Sequence, residues 1–230
     1  MMMSTTSFRL CGRSCKVESV LRTLYHILPA GLRRRLRSRV ERMVRSLKAP
    51  RMVRGYLDSS GQWRPRTRIS DTVFMYRSEN IRIADNVFVW HYSILDGTGG
   101  LDIGAGTQVG AWVGLFTHSS HIAIRLYGDH YQDVPEADKV GFQTAATSIG
   151  RYVFIGAAAK VLPGVSVGDG ALISAGSMVT KDVEPFAVVT GSPAEVVGDT
   201  RRLDKRFLKD PQIRGWYEEW QSSSQGTDRQ

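Results

Sequence analysis

The chain has 230 residues, of which 42% are hydrophobic, and it carries a formal net charge of +9. This length is enough to bury one sizeable core and leaves room for extensions around it. No stretch reaches the roughly 18 consecutive apolar residues that cross a bilayer, which excludes a membrane-spanning helix.

The first 16 residues read neither as a signal peptide nor as a metal site. Arg9 and Gly12 interrupt the short apolar runs there, so we expect a cytoplasmic protein. Cys11 and Cys15 are the two cysteines of the chain, and nothing elsewhere in the sequence completes a metal site with them. We expect both to be reduced thiols.

Residues 17–47 predict a pair of amphipathic helices. Pro29 and Gly31 separate the two segments, and apolar residues recur on both sides of this break at spacings of three and four. These apolar residues are Val17, Val20, Leu21, Leu24, Ile27 and Leu28, followed by Leu32, Leu36, Val40, Met43, Val44 and Leu47. We assign residues 1–70 to a basic helical arm and a linker.

The positive charge is concentrated in the second of these helices and just beyond it. Residues 31–54 contain ten Lys and Arg side chains and one acid, Glu41. Such a helix could lie on an anionic membrane surface at the inner face of the membrane. Alternatively, its apolar stripe packs on the rest of the protein and the arginines are solvated. Nucleic-acid binding is not expected, because no recognised module accompanies the charge.

Aliphatic residues recur every six positions over much of residues 81–180. Period six fits neither an α-helix nor simple strand alternation, but it suits short strands joined by tight corners. We therefore predict stacked coils around an aliphatic core, with neighbouring backbones about 4.8 Å apart. The positions are Ile83, Val89, Leu95 and Leu101, then Ile103, Val109 and Leu115, and then Ile149, Ile155, Val161, Val167, Ile173 and Val179.

The string SIGRYVFIGAAAKVLPGVSVGDGALISAGSMVTKDVEPFAVVTGSPAEVVG carries a family resemblance. It is similar to hexapeptide-repeat acyltransferases of the sugar O-acetyltransferase branch, which includes maltose, nodulation-factor and xenobiotic acetyltransferases. The resemblance implies a mainly β fold, a left-handed parallel β-helix over residues 71–200, in a homotrimer. It also implies acetyl-CoA as co-substrate, a carbohydrate acceptor such as a polysaccharide or envelope precursor, and no metal.

Residues 201–230 follow the predicted coils. Charged and aromatic side chains there, including Trp216 and Trp220, predict α-helices that cap the open end of the stack. The final segment SSSQGTDRQ has the composition of a disordered tail. The predicted fold is thus a β-helix with helical extensions at both ends.

A polar excursion over residues 116–148 interrupts the repeat and contains three histidines. A neutral imidazole can take a proton from an attacking hydroxyl, which is worth about 10²–10⁴-fold in rate. In the family that the sequence resembles, a His at the start of such an excursion is the base. His121 fits this position slightly better than His118, and both stay candidates.

The acceptor site is predicted from the string WHYSILDGTGG and from the excursion. The resemblance places Asp96 on an acid that lines the acceptor pocket, where it holds an acceptor hydroxyl or orients the base. His91 falls where the family commonly has Asn. Tyr127 and His130 are candidates for stacking on a sugar ring, with ordinary loop packing as the alternative.

The coenzyme site is predicted from small side chains in the last coils. A thin pantetheine arm can lie along a groove between coils if the side chains there are small. The candidates are Gly156, Ala157, Ala158, Ala175 and Gly176, with Thr180, Lys181 and Arg201 toward the coenzyme phosphates.

Two other functions are alternatives to acyl transfer. A zinc enzyme similar to the γ-class carbonic anhydrases would use His91, His118 and His121 as ligands. A non-catalytic β-helix would serve as a scaffold or binding module. The SAGSMVTKD string favours a coenzyme A enzyme over both.

Overall fold

The computed structural model describes residues 29–223, and the chain divides into two compact units after Ala49. In the first unit, helix α1 (Ala30–Lys48) begins directly after Pro29, at the predicted break. Arg37 and Glu41 form an ion pair of 2.8 Å one turn apart. The helix predicted before Pro29 and both cysteines lie outside the described residues.

The second unit is built mainly from short strands. Its helices are α2 (Ala123–Tyr127), α3 (Thr200–Asp204) and α4 (Pro211–Ser222). The strands, in chain order, are β1 (Met52–Leu57), β2 (Trp63–Ser70), β3 (Phe74–Tyr76), β4 (Ile81–Ile83), β5 (Phe88–Val89), β6 (Ile94–Asp96), β7 (Leu101–Ile103), β8 (Gln108–Val109), β9 (Gly114–Leu115), β10 (His118–Ser119), β11 (Gln143–Thr144), β12 (Thr147–Ile149), β13 (Phe154–Ile155), β14 (Lys160–Val161), β15 (Ser166–Val167), β16 (Leu172–Ile173), β17 (Met178–Val179), β18 (Ala187–Gly191) and β19 (Ala194–Asp199).

Successive strands fall on three sheets, so the chain winds as a prism. Face A has the order β1-β2-β5-β8-β13-β16-β18-β19, face B has β17-β14-β9-β6-β3, and face C has β15-β12-β7-β4. Neighbours in the coils are parallel, whereas β1 with β2 and β18 with β19 are antiparallel. We call the corners between these faces edge AB, edge BC and edge CA.

The predicted six-residue positions form the core of this prism. The run from Ile149 to Val179 at spacing six is buried throughout, with exposures of 0 to 3%. Each such aliphatic side chain contributes roughly 1.5–3 kcal/mol when it leaves water. The mainly β fold with parallel sheets is confirmed.

The six-residue spacing is interrupted once in the first coils, where Leu101 and Ile103 are only two positions apart. This shift has a structural cause. In the first coils, face C directs two residues inward from each strand, as Leu101 and Ile103 do in β7. These coils are two residues longer, so Val89 pairs with Val109, whereas Ile155 pairs with Ile173 in the later coils.

Tight corners impose special backbone on the residues at the edges. On edge AB, Tyr92, Trp112, Ala158 and Gly176 all have positive φ. Gly156 is required for close approach, because a Cβ there would lie 2.4 Å from the backbone nitrogen of Ala175.

Antiparallel strands cover the N-terminal end of the stack. Residues 52–70, which we predicted as part of the arm and linker, instead form β1 and β2 of face A. Strand β2 pairs in parallel with β5, so these residues extend the hydrogen-bonded sheet, and β1 covers its edge. The basic helix is therefore followed directly by sheet.

After the last coil come the β18–β19 hairpin and helices α3 and α4, which we call the C-terminal cap and whose helices pack along edge CA. Trp220 of α4 packs on edge CA, with ring centroids 4.7 Å from Tyr152 and 5.7 Å from Phe186. Arg151 donates to the carbonyl oxygen of Trp220 at 2.7 Å. Within residues 29–223, no helix has the length and apolar character that crossing a membrane requires.

Candidate active site

An aspartate and a histidine meet on edge BC, where the excursion leaves the coils. Asp96 is the last residue of β6, and His118 begins β10, the first strand of the excursion. The Nδ1 atom of His118 lies 2.6 Å from Oδ2 of Asp96. Pairing of β6 with β9 sets this meeting, because it aligns Leu95 with Leu115 and so brings the two chain segments that follow side by side.

The carboxylate of Asp96 is buried and held at both oxygens. Its Oδ1 accepts from the backbone and hydroxyl of Thr98 at 2.9 and 2.6 Å. Its Oδ2 accepts from the backbone of Thr117 at 2.8 Å as well as contacting His118. Burial alone would raise the pKa of Asp96, but the hydrogen bonds from Thr98, Thr117 and His118 together lower that pKa to about 2.

An ionised Asp96 determines which nitrogen of His118 carries the proton. A carboxylate can only accept hydrogen bonds, so Nδ1 of His118 is the donor in this contact. The neutral ring then has its lone pair on Nε2, the nitrogen available to remove a proton. The pair therefore has the arrangement of a general base and the carboxylate that orients it.

Two aromatic rings flank the imidazole. Phe142, near the end of the excursion, stacks on it with centroids 5.5 Å apart and planes inclined by 17°. Tyr76 of β3 lies 6.4 Å away at a larger angle. The side chain of His118 remains 33% exposed. The ring is thus fixed by packing and still open to a small acceptor group.

His121 lies three residues further on, in different surroundings. It is exposed, and its Nδ1 contacts the hydroxyl of Ser119 at 2.7 Å. Its backbone oxygen accepts from Arg125. A hydroxyl two residues away orients a ring less firmly than a buried carboxylate does, because it is neutral and itself free to rotate. The geometry thus favours His118, whereas the sequence favoured His121 slightly.

The candidate acceptor residues are spread over two places. His91 lies on edge AB, where its Nδ1 contacts Ser70 Oγ at 2.7 Å, and it is separated from Asp96 by the width of face B. In the excursion, the hydroxyl of Tyr127 accepts from the backbone of Val140 at 2.9 Å. His130 pairs with Asp133 at 3.1 Å on the exposed surface.

The candidate coenzyme residues are also divided among edges. The small residues Gly156, Ala157, Ala158, Ala175 and Gly176 lie together on edge AB. Thr180 and Lys181 are exposed beyond β17, on edge BC. Arg201 is ion-paired with Asp199 and stacks over Phe186 at 4.8 Å, on edge CA. One chain therefore does not bring the base, the groove and Arg201 together.

Sequence reasoning missed the residues that hold the pair in place. Thr98 lies two positions after Asp96 and Thr117 directly precedes His118, so hydroxyl side chains close to both functional residues could have indicated these contacts. The hydroxyl of Thr117 also donates to the backbone oxygen of Asp96 at 2.9 Å. Nothing in the sequence indicated that Phe142 stacks on His118, because the two residues are far apart in the chain.

The histidines proposed as zinc ligands are not gathered into one site. His91 lies on edge AB and contacts Ser70, whereas His118 lies on edge BC and contacts Asp96. Among residues 29–223, no group of three His, Cys, Asp or Glu side chains is placed to hold a metal ion. The histidine set proposed for a carbonic-anhydrase-like enzyme therefore does not assemble in this chain.

The structure thus combines a prism of parallel coils, built from six-residue repeats, with an Asp–His pair at one edge. Residues 146–181 match the family model of the bacterial transferase hexapeptide (six repeats). This match confirms the resemblance to the hexapeptide-repeat acetyltransferases that the sequence suggested.

Curated relatives match a part of the chain. A chloramphenicol acetyltransferase of Morganella morganii is 48% identical over 67 residues, 29% of this chain and 29% of the relative. A galactoside O-acetyltransferase of Escherichia coli is 42% identical over 60 residues, 26% of this chain and 30% of the relative. The chain thus spans less than a third of the length of these relatives.

A solved structure shares the fold. A hexapeptide-repeat containing acetyltransferase from Vibrio cholerae superposes with a TM-score of 0.50 at 22% identity, over 57% of this chain and 69% of the other. This likeness extends beyond the segment that the curated relatives match, and it concerns the coil architecture.

Proposed function

We propose that this protein transfers an acetyl group from acetyl-CoA to a hydroxyl of a carbohydrate acceptor, with His118 as the general base. The hydrogen bond between His118 and the buried carboxylate of Asp96 carries the proposal. The names of the relatives support it, because both act as acetyltransferases. In this proposal the coils wind left-handed, as the family resemblance implies.

The proposed reaction needs one base and one leaving group. Nε2 of His118 accepts the proton of the acceptor hydroxyl as its oxygen attacks the thioester carbonyl. The C–S bond breaks, and the imidazolium returns the proton to the sulfur of coenzyme A. Asp96 stabilises the imidazolium while the charge exists, and proton transfer of this kind contributes about 10²–10⁴-fold.

The groove on edge AB suits the pantetheine arm of acetyl-CoA. Gly156 and Ala175 approach closely, so neighbouring coils leave little side-chain bulk between them. Beside them, a Cβ on Gly176 would meet no atom within 4 Å, which leaves open space for a ligand. Lys181 would meet a coenzyme phosphate from edge BC of an adjoining copy.

A homotrimer would bring these separate edges together. The outer side of face B exposes Phe74, Ile94 and Met178, whereas face C exposes the ion pair of Arg82 with Asp102. An apolar face of this kind fits burial against other copies of the chain. If face B of each copy turns toward a common axis, edge AB of one copy meets edge BC of the next.

The test compares two substitutions in the excursion. Acetyl-CoA turnover is followed by thiol release with a galactoside as probe acceptor, and in parallel with chloramphenicol. We expect His118→Ala to lower kcat by at least 100-fold, and His121→Ala, the matched control, to stay within about threefold of the parent.

Each outcome has a clear meaning. Loss in His121→Ala with normal turnover in His118→Ala would assign the base to His121. Normal turnover in both variants would exclude both His118 and His121 as the base. Transfer to chloramphenicol but not to the galactoside would replace the carbohydrate in the proposal with a non-sugar alcohol.

A further inference from the structure

The C-terminal cap contains an open recess lined almost wholly by cations. It lies between α3 and α4 and the turn that joins them. Five basic side chains and one leucine line it: Arg202, Lys205, Arg206, Leu208, Lys209 and Arg214. Like charges gathered on one surface repel each other, so such a surface is stabilised by an anionic partner.

Three aspartates of this segment have partners of their own. Asp199 pairs with Arg201, and Asp210 caps α4 by accepting from the backbone of Gln212 at 2.9 Å. Asp204 accepts from the hydroxyl of Tyr217 at 3.1 Å. Burial, with Asp204 close by, raises the pKa of Tyr217 to about 12, so this hydroxyl keeps its proton and remains a donor.

The charge of the recess is therefore left largely without local compensation. Over residues 29–223, no ion pair involves Lys205, Arg206, Lys209 or Arg214. Arg214 instead donates through Nε to the backbone oxygen of Leu208 at 2.9 Å, which fixes the turn between the helices.

Apolar side chains are exposed beside these cations. Phe207 is 58% exposed, and the guanidinium of Arg206 lies over its ring at 4.6 Å. Leu208 lines the recess itself. Leu203 of α3 is also exposed. Exposed apolar side chains contribute nothing to the binding of an anion by charge alone. A lipid interface, in contrast, binds both cations and apolar side chains.

The cap is attached away from the proposed acyl-transfer residues. The hydroxyl of Thr200 donates to the backbone oxygen of Gly170 at 2.9 Å, and Trp220 packs on Phe186 and Tyr152, all on edge CA. His118 lies on edge BC and the small residues lie on edge AB. An occupant of the recess would leave both of these edges free.

We propose that this cap is a docking surface for an anionic lipid bilayer. The cations around the recess contact phosphate headgroups, and Phe207 enters the boundary between headgroups and acyl chains. The exposed leucine and phenylalanine favour a bilayer over nucleic acid, which would gain nothing from them. This surface is distinct from the basic helix α1 and does not depend on the acyl-transfer proposal.

The test measures binding of the full chain to phosphatidylcholine vesicles with and without phosphatidylglycerol. Each Lys or Arg near an anionic surface contributes about fivefold to binding, and reversal of its charge costs more. We expect Lys205→Glu with Lys209→Glu to weaken binding to the anionic vesicles by at least tenfold. The matched control is Arg68→Glu with Arg82→Glu, two exposed arginines of the first coils that lie outside the basic segment 31–54, and it should stay within about twofold.

A second substitution separates a bilayer from other anions. Phe207→Ala should weaken vesicle binding by about fivefold while leaving binding to heparin unchanged, because only the bilayer has an apolar interior. Thermal midpoints equal to that of the parent show that the variants are folded. The proposal is overturned if the parent binds heparin but not anionic vesicles, or if the double reversal loses no more binding than its control.

Discussion

Two histidines of the excursion, His118 and His130, differ in the carboxylate that holds the imidazole ring. His118 lies where the excursion leaves the coils, and its partner Asp96 comes from the preceding coil, 22 positions away in sequence. His130 lies in the middle of the excursion, and its partner Asp133 is three positions away. The first pair is buried on its carboxylate side, whereas both members of the second are exposed.

This difference shows how a repetitive scaffold can position a base. Coil stacking fixes the spacing of β6 and β9. The hydrogen bond between Asp96 and His118 therefore joins two neighbouring coils, and it stays in place when the rest of the excursion moves. A pair within one loop moves with that loop, and exposed ion pairs of this kind are worth little. The comparison predicts that function depends on the pair between coils and not on the pair within the excursion.

The largest expected effect comes from neutralising the carboxylate of the buried pair. We expect Asp96→Asn to lower kcat by about 100-fold or more with a smaller change in KM, because an amide can turn its donor toward Nδ1 and favour the wrong tautomer of His118. The matched control is Asp133→Asn, which makes the same chemical change beside His130 and should leave kcat within about twofold. Steady-state kinetics with acetyl-CoA and a galactoside would measure both.

Two outcomes of these kinetic measurements would contradict the prediction. Equal losses in the two variants would mean that the whole excursion, and not the pair between coils, sets the rate. A loss confined to Asp133→Asn would move the functional histidine into the loop.

A smaller effect is expected from the ring that packs on the base. We expect Phe142→Ala to lower kcat by about tenfold, because the imidazole of His118 loses its stacked neighbour and occupies more than one orientation. Tyr131→Ala removes a second aromatic of the excursion, whose ring lies near the ammonium of Lys139. Unchanged kcat in that control, with normal thermal midpoints in both variants, would separate positioning of the base from general loosening of the loop.

The coil core was predictable from sequence because it repeats. Six-residue spacing marked Ile149 through Val179, and the same residues are buried. The site was less predictable, because its contacts join segments that the repeat brings together only in three dimensions. Asp96 and His118 were both candidates, but the hydrogen bond between them was one of two interpretations, and the sequence slightly favoured His121 as the base.

The ends of the stack were hardest to predict. Residues 52–70 have no six-residue pattern, since an antiparallel hairpin at the end of a sheet follows ordinary strand alternation. The division of candidate residues among three edges was also invisible, because sequence spacing does not show which corner of a coil a residue occupies.

The last expected effect concerns the free energy of unfolding and not the rate of reaction, and it distinguishes Asp96 from Asp133. The pKa of Asp96 is lowered to about 2, below the value of an Asp in an unfolded chain, which is about 3.9. A carboxyl group whose pKa is lowered by folding stabilises the native state above its unfolded pKa, and this stability is lost as the pH falls toward the folded pKa. The contribution should therefore be complete near neutral pH and decline between about pH 5 and pH 1, by roughly 2–3 kcal/mol in the free energy of unfolding. Urea titrations over this range would show a weaker pH dependence in Asp96→Asn than in the parent, while Asp133→Asn should follow the parent curve. Parallel curves for all three proteins would mean that the hydrogen bonds to Asp96 do not favour its ionised form, and the tautomer assigned to His118 would lose its support.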